Sequence, residues 1–183
     1  MNSATARAAA PLRPAELTVL NLPMSDPRVR PLLDELAVEY DTRYGNLFGR
    51  GAAAEELNRY PACEFAGPGG ALLIVQEGGE SVAGGAFRRR DPQTAEFKRI
   101  WTHSGHRRRG LARFVLAELE VLAARRGYRG IYLTTGPRQP EAKHLYLSSG
   151  YEPQFDLSAD PETIGPLAFT KNLHQDSAGG PTG

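Results

Sequence analysis

Hydrophobic residues in the first part of the chain recur at strand spacing and then at helix spacing. The apolar segment 16–21 predicts a strand. Asp26 followed by Pro27 is typical of a helix start, because aspartate caps free amide groups and proline fits the first turn. The helix is expected to continue to about Tyr44, and a weaker helix is expected over 52–60. The apolar face of the first helix consists of Val29, Leu32, Leu33, Leu36 and Tyr40.

The middle of the chain predicts three consecutive strands. Segments 71–76 and 81–88 are rich in apolar residues and flank Gly78 and Gly79, a pair typical of a tight hairpin turn. Segment 94–102 alternates apolar and polar residues and predicts the third strand of the same meander.

The last part of the chain alternates helices and strands. We expect a long helix over 111–126, a strand over 130–135, a short helix over 140–149 and a last strand around 166–171. This order of elements indicates a mixed α/β (α+β) domain with one central sheet. The apolar face of the long helix consists of Leu111, Val115, Leu119 and Leu122.

Composition and charge narrow the class of protein. A chain of 183 residues, 40% hydrophobic and 23% charged, is of a size and composition that fit one globular core. The formal net charge of +1 gives no overall field that would attract nucleic acid or an anionic membrane, so we expect neither as a partner. The single cysteine, Cys63, cannot form an intrachain disulfide, which fits a reducing compartment and a cytoplasmic protein.

Both ends of the chain are poor in apolar residues that could offset the entropy of ordering. We therefore expect disorder over residues 1–13 and 175–183. Residues 14–174 are expected to form the single domain.

The segment 103–110 is a polar loop, rich in arginine and glycine, that leads into the long helix. The first turn of a helix has backbone N–H groups without intrahelical acceptors and the positive end of the helix dipole. Such a terminus binds anions, above all a pyrophosphate, and Gly110 and Ala112 would let the ligand approach closely. A solvated basic loop is the alternative, and the loop by itself does not decide between the two.

Two motifs in this region resemble those of the GCN5-related N-acetyltransferase (GNAT) superfamily, in particular its small bacterial members. The family signature Q/R-x-x-G-x-G/A matches Arg107, Gly110 and Ala112, placed between a strand and a helix. Residues 139–146 and 150–151 resemble the second motif, a helix that carries a tyrosine and is closed by glycine and an aromatic residue. The resemblance extends over roughly residues 15–174.

The resemblance implies a fold and a reaction. The fold would be a mixed, mostly antiparallel sheet with helices on both faces. The reaction would be transfer of an acetyl group from acetyl-CoA to a primary amine, by direct attack in a ternary complex. The acceptor would be a small molecule or a peptide that the sequence does not identify. Arg108 stands where the family often has glycine, and this bulkier loop could alter CoA affinity.

The resemblance also assigns roles to individual residues. Tyr146 matches the tyrosine that protonates the departing thiolate; the alternative is a tyrosine that packs the helix on the sheet. For Trp101, whose backbone would contact the pantetheine arm, the alternative is a core aromatic residue. The residues that the resemblance assigns to acetyl-CoA are Ile100, Trp101, Thr102, Arg107, Arg108, Arg109, Gly110, Leu111, Ala112 and Gln139.

Glu96 is the predicted general base. It lies four positions before Ile100, so a regular strand would turn both side chains to the same face. A carboxylate there could take the proton of an amine with an ordinary pKa of ~10.4, through a water molecule. The alternatives are an exposed glutamate without a role and a water chain without any single base.

The acceptor is expected to contact the first two helices and the segment 151–166. Asp156 and Asp160 in that segment would suit a cationic amine. The aromatic residues expected near the acceptor are Tyr40, Tyr44, Phe48 and Phe155.

Other functions are less well supported by the sequence. His103, His106 and His144 have no cysteine or aspartate partner at metal-ligand spacing, so no metal is expected. The arginines at 88–90 are expected to protect a strand edge rather than bind nucleic acid. A non-catalytic acyl-CoA-binding sensor or interaction module is the alternative function, and a homodimer is compatible with such a fold.

Overall fold

The computed structural model of the chain describes residues 16–48 and 52–173. The predicted disordered ends, 1–13 and 175–183, lie outside these residues, as does the side chain of Phe48.

Within the described residues, seven strands form one sheet. The strands are β1 (Leu17–Asn21), β2 (Ala71–Glu77), β3 (Glu80–Arg89), β4 (Thr94–Thr102), β5 (Gly130–Thr135), β6 (Glu152–Pro153) and β7 (Leu167–Asn172). Their order is β1-β2-β3-β4-β5-β7-β6. Only the β4–β5 pair is parallel, so the sheet is mixed and mostly antiparallel, as predicted.

The helices are α1 (Arg30–Phe48), α2 (Ala52–Asn58), α3 (Leu111–Arg125), α4 (Pro140–Ser148) and the short α5 (Pro161–Ile164). Asp26 accepts a hydrogen bond from the Arg28 amide, and Pro27 opens a 3-10 turn that leads into α1, which confirms the predicted helix start. None of the described helices is long and apolar enough to cross a membrane.

Two hydrophobic cores lie on opposite faces of the sheet, because successive β2 residues alternate between them. Leu73 packs in the core that includes Val115 and Leu119 of α3, which defines the α3 face. Ile74 packs in the core that includes Leu32 of α1, which defines the α1 face. Helices therefore cover both faces of the sheet, as the fold class predicts.

A β-bulge interrupts β4 at Arg99 and Ile100. On β3, Gly84 pairs with Trp101 and Ala86 pairs with Lys98, so two residues of β4 lie opposite one residue of β3. Arg99 adopts a left-handed conformation with a φ of 60°. The bulge therefore shifts the alternation of side chains along β4.

This shift makes the prediction that Glu96 and Ile100 share a face wrong. A Cβ added to Gly85 would lie 2.8 Å from Ile100 Cδ1 and 2.9 Å from Leu119 Cδ1, so Ile100 lies on the α3 face. Glu96 contacts Arg88, whose guanidinium lies over the ring of Tyr60 on the α1 face. A bulge leaves no clear trace in the apolar pattern, and the two-residue period fails across it.

The parallel strands β4 and β5 separate after a short paired stretch. Thr94 to Phe97 pair with Gly130 to Leu133, and the pairing stops there. The following residues of β4, 98–102, face residues 134–135 of β5 without being paired to them. The two strands thus form a V-shaped opening whose wall on one side is the bulged end of β4.

Candidate active site

A cavity of about 1220 Å³ occupies this opening. Its wall is formed by α1, the bulged half of β4, the start of α3, the end of β5 and α4. Two motifs that lie far apart in sequence therefore meet at one site. The predicted site residues in the wall are Glu96, Ile100, Trp101, Thr102, Arg107, Arg108, Gly110, Leu111, Ala112, Gln139 and Tyr146.

Arg109 is the predicted cofactor-binding residue that the structure does not bring to the wall. Its guanidinium donates two hydrogen bonds to Glu77 of β2, at 2.8 and 2.7 Å, and a third to His106 at 2.8 Å. These hydrogen bonds lower the pKa of Glu77. The side chain of Arg109 therefore fastens the loop to the sheet.

Arg113 lines the wall but was not predicted. Its guanidinium donates to the Ser148 hydroxyl at 3.0 Å and so joins α3 to α4. Its place in the first turn of α3 is the signal that could have identified it, because that turn faces the opening.

The start of α3 forms a concave array of backbone amides. Arg108 and Gly110 both have left-handed conformations, with φ of 60° and 77°, and Gly110 precedes the first residue of the helix. The first intrahelical bond at this end joins the Phe114 amide to the Gly110 carbonyl, so the amides before it have no intrahelical acceptor. This geometry fits an anion such as a pyrophosphate.

Two polar side chains in the wall have unused hydrogen-bonding capacity. The buried Thr102 Oγ1 has no hydrogen-bond partner among the described residues. The Gln139 carbonyl oxygen accepts from the Gly136 amide at 3.0 Å and from the Thr135 hydroxyl at 3.1 Å, which orients the Gln139 amide nitrogen. Both groups fit a chain that carries amides, as pantetheine does.

The side chain of Tyr146 is only 6% exposed and reaches the cavity from α4. Its ring packs against Phe169 and Tyr151, with ring centroids 5.4 and 5.8 Å apart. Burial raises the pKa of Tyr146, so the hydroxyl stays protonated at neutral pH and can donate a proton. Tyr146 therefore both packs against the sheet and lines the cavity.

Glu96 is buried, at 5% exposure, so the alternative of an exposed strand glutamate is wrong. One carboxylate oxygen accepts a hydrogen bond from Arg88 at 2.6 Å. The other lies 3.4 Å from the Lys98 ammonium group, a longer contact. Glu96 therefore presents a partly engaged carboxylate to the cavity.

Comparison with known proteins agrees with this geometry. The family model for the acetyltransferase (GNAT) family matches residues 33–151, the larger part of the chain. The chain belongs to the GNAT family. The matched range contains both sequence motifs and the whole V-shaped opening, and it confirms the predicted class of acyl-CoA-dependent acetyltransferase.

Relatives of this GNAT protein are found among sequences and structures. It is 33% identical over 103 residues to the uncharacterised N-acetyltransferase YsnE of Bacillus subtilis, a match that covers 54% of this chain and 68% of YsnE. The PaiA N-acetyltransferase of Thermoplasma acidophilum, solved with coenzyme A, has a TM-score of 0.67 at 10% identity and covers 86% and 99% of the two chains. A GNAT acetyltransferase of Elizabethkingia anophelis with acetyl-CoA bound has a TM-score of 0.60 at 15% identity and covers 85% and 97%.

Trp101 of this GNAT domain is a core residue as well as a wall residue. Its ring is 3% exposed, and its indole N–H donates to Glu35 of α1 at 2.9 Å. Glu35 also accepts from the Ser104 amide at 3.0 Å and hydroxyl at 2.7 Å. Although partial burial opposes it, these hydrogen bonds lower the pKa of Glu35. Nothing in the sequence pattern distinguishes Glu35 from an ordinary helix glutamate.

The structure does not bring Asp156 and Asp160 into the GNAT cavity, contrary to the expectation for the acceptor site. Asp156 accepts hydrogen bonds from the Ser158 amide and hydroxyl at 2.8 and 2.7 Å. Asp160 caps α5 through the Glu162 amide at 3.0 Å. The aromatic residues Tyr40 and Tyr44 do line the wall, as expected.

Two histidines and a glutamate form a group that resembles a possible metal site. In the described part of the chain, His103, His106 and Glu80 present possible metal-ligand atoms within 4.8 Å of one another. However, His103 Nδ1 accepts from the Gly105 amide at 3.1 Å, and His106 Nδ1 lies 2.8 Å from an Arg109 nitrogen, which can only donate. A neutral ring in this arrangement carries its proton on Nε2, which does not favour ligation of a metal there.

Proposed function

We propose that this GNAT protein transfers the acetyl group of acetyl-CoA to a primary amine by direct attack in a ternary complex. The observation that carries the proposal is that one cavity joins the start of α3, the end of β4 that is not paired with β5, and Tyr146. Acetyl-CoA supplies the activated thioester, and the residues of this chain bind it, orient it and move protons.

The start of α3 would bind the pyrophosphate. The residues that carry its free amides line the cavity, and Arg107, Arg108 and Arg113 add positive charge at the same end. The edge of β4 that is not paired with β5 and the polar atoms of Thr102 and Gln139 would bind the pantetheine amides. A backbone N–H near the bulge would stabilise the negative charge that develops on the thioester oxygen.

Tyr146 would donate the proton that the departing thiolate needs. Its hydroxyl is protonated at neutral pH, as a donor must be, and its packing against Phe169 and Tyr151 fixes the ring. Cys63 is exposed and does not line the cavity, so the described wall offers no thiol for an acylated intermediate. The lack of a thiol in the described wall favours direct transfer.

Glu96 would take the proton of the attacking amine through a water molecule. It lies on β4 itself, and its oxygen near Lys98 is the one that can hold a water because the other is occupied by Arg88. The amine would then approach from the α1 face, while acetyl-CoA enters along the start of α3.

The experiment that tests this proposal measures free thiol released from acetyl-CoA in the presence of polyamines, aminoglycosides, amino acids and lysine peptides. We expect turnover with at least one of these amines. Replacing Tyr146 by phenylalanine should lower kcat by roughly 10²- to 10⁴-fold, because proton donation is lost. Tyr151→Phe is the matched control, since its hydroxyl bonds to Glu120 at 2.8 Å outside the cavity wall.

The result that would contradict the proposal is tight binding of acetyl-CoA without turnover for any amine in the panel. That result would favour a non-catalytic sensor of acyl-CoA. If Tyr146→Phe and Tyr151→Phe lowered kcat equally, the proposed role of Tyr146 would be contradicted, but acetyl transfer would not.

A further inference from the structure

The charges in the cavity wall are unevenly satisfied. The wall contains five acidic and eight basic side chains. Each of the acids already has a cationic partner, although Glu39 and Glu141 share one arginine, so none offers a fully unpaired carboxylate to a positively charged acceptor. The pairs are Glu39 with Arg43, Glu56 with Arg59, Glu96 with Arg88, Glu141 with Arg43, and Glu162 with Arg138.

The basic side chains of the wall are not all paired in the same way. Arg107, Arg108 and Arg113 lie at the start of α3, where the phosphates of acetyl-CoA would neutralise them. Away from that end, Arg90 and Arg99 have no carboxylate within 4.0 Å among the described residues. Arg90 is exposed and lies over the Tyr132 ring, 3.6 Å from its centroid, where water solvates it.

Arg99 is half-buried and lacks such solvation. Its guanidinium donates to the Leu57 carbonyl at 2.6 Å and contacts Met24 Sδ at 2.9 Å, and it lies 4.4 Å from the centroid of the Phe65 ring. A guanidinium has five N–H donors, so these neutral partners leave most of them unused. Burial lowers the pKa of Arg99, and the charge of Glu56, which lies beyond salt-bridge distance, offsets this only in part.

The position of Arg99 connects it to the chemistry. It is the left-handed residue of the β4 bulge, and residues held in such strained conformations cluster at functional sites. The bulge turns Arg99 to the α1 face, the face that Glu96 also occupies, while the next residue, Ile100, lies on the α3 face. Arg99 lines the cavity, so a group bound by its guanidinium there would lie beside the V-shaped opening, on the side from which the amine would approach.

We infer that the acceptor is a small amine that also carries a carboxylate, as an amino acid does, and that Arg99 binds this carboxylate. The inference rests on the proposed function and names the substrate class of the same site. A carboxylate accepts two hydrogen bonds from the fork of a guanidinium and would give Arg99 the directly bonded counter-charge that the described carboxylates do not supply. Polyamines and aminoglycosides offer no such group and would add further positive charge.

The experiment compares amino acids with their own carboxamides as acceptors. Each pair shares the same amine and side chain and differs in the carboxylate alone. We expect the wild-type chain to favour the amino acid by roughly 10- to 100-fold in kcat/KM, the size of a charge-assisted hydrogen-bonded contact. Arg99→Gln should raise KM for the amino acid by a similar factor and leave the carboxamide unchanged. Arg99→Lys keeps the charge but not the fork, so its KM for the amino acid should lie between those of the wild-type chain and Arg99→Gln.

The controls separate this inference from folding and from the proposed function. Arg90→Gln should keep the preference for the carboxylate, and the Kd for acetyl-CoA should be unchanged in Arg99→Gln. Equal turnover of amino acid and carboxamide by the wild-type chain would overturn the inference and leave acetyl transfer standing. Turnover of no amine at all, with acetyl-CoA bound, would remove the proposed function and this inference with it.

Discussion

At the residue scale, two glutamates tie β4 to neighbouring elements. Glu35 of α1 binds Trp101 and Ser104 at the end of the strand. Glu96 binds Arg88 of β3, and Arg88 in turn binds Glu64 at 2.5 Å. Because a buried ion pair is costly to break by removing one partner, these contacts fix the backbone that forms the cavity wall.

Replacing Glu96 by glutamine tests its role as the base. If Glu96 takes the proton of the amine, kcat/KM should fall by roughly 10²- to 10⁴-fold. The matched control is Glu64→Gln, which removes the other ion pair of Arg88 but does not line the cavity. Steady-state kinetics and thermal melting should be measured on both variants. Similar losses of activity and of melting temperature in the two would mean that Glu96 only anchors Arg88.

Individual site residues differ in how well the sequence predicts them. The positions of Tyr146 and Gly110 in the cavity wall are predictable because they depend on local spacing within a motif. The positions of Arg99 and Glu35 are not predictable, because each depends on contacts between distant segments. Arg99 is placed by the bulge between the pairs that Gly84 and Ala86 form, and Glu35 by the packing of α1 on β4. Arg109 was assigned to the cofactor because the sequence does not show that Glu77 lies beside it.

At the scale of elements, the start of α3 is the part of the cavity wall that would bind the pyrophosphate. Gly110 and Gly127 lie at opposite ends of this helix in left-handed conformations, with φ of 77° and 89°. A Cβ at either position would meet no atom within 4 Å. The two glycines therefore have the same conformational requirement, but only Gly110 lies in the cavity wall.

Substituting alanine at each glycine separates strain from binding. Both variants should lose about 1 kcal/mol of unfolding free energy, because alanine disfavours the left-handed conformation. Gly110→Ala alone should weaken acetyl-CoA binding, by roughly tenfold for the loss of one charge-assisted contact. Chemical denaturation and titration calorimetry check the two effects. Unchanged affinity in Gly110→Ala would show that the pyrophosphate does not bind at this end of α3.

Elements with clear periodicity are predictable, whereas short ones are not. The five longer strands from β2 to β5 and β7, and the helices α1, α3 and α4, follow from apolar spacing, with ends that differ by a few residues. The strand β6 has two residues, one of them Pro153, and α5 has four. Neither is long enough to show a period, so both depend on pairing and packing with the rest of the fold.

At the scale of the whole molecule, the cavity exists because α1 is tied to the opposite side of the opening. Arg43 of α1 pairs with Glu141 of α4 and donates to the Arg138 carbonyl at 2.6 Å. Arg138 donates back to the Arg43 carbonyl at 3.1 Å and pairs with Glu162 of α5 at 2.9 Å. These contacts close one side of the opening, so acetyl-CoA and the acceptor would enter from different faces of the sheet.

The most direct test of the account is mass spectrometry of protein and products after reaction with acetyl-CoA, with and without an active amine. Direct transfer predicts equal amounts of free CoA thiol and N-acetylated amine when the amine is present. It also predicts an unchanged protein mass when acetyl-CoA is present alone. An acetylated protein formed without the amine, which then passes its acetyl group to the amine, would contradict direct transfer in a ternary complex.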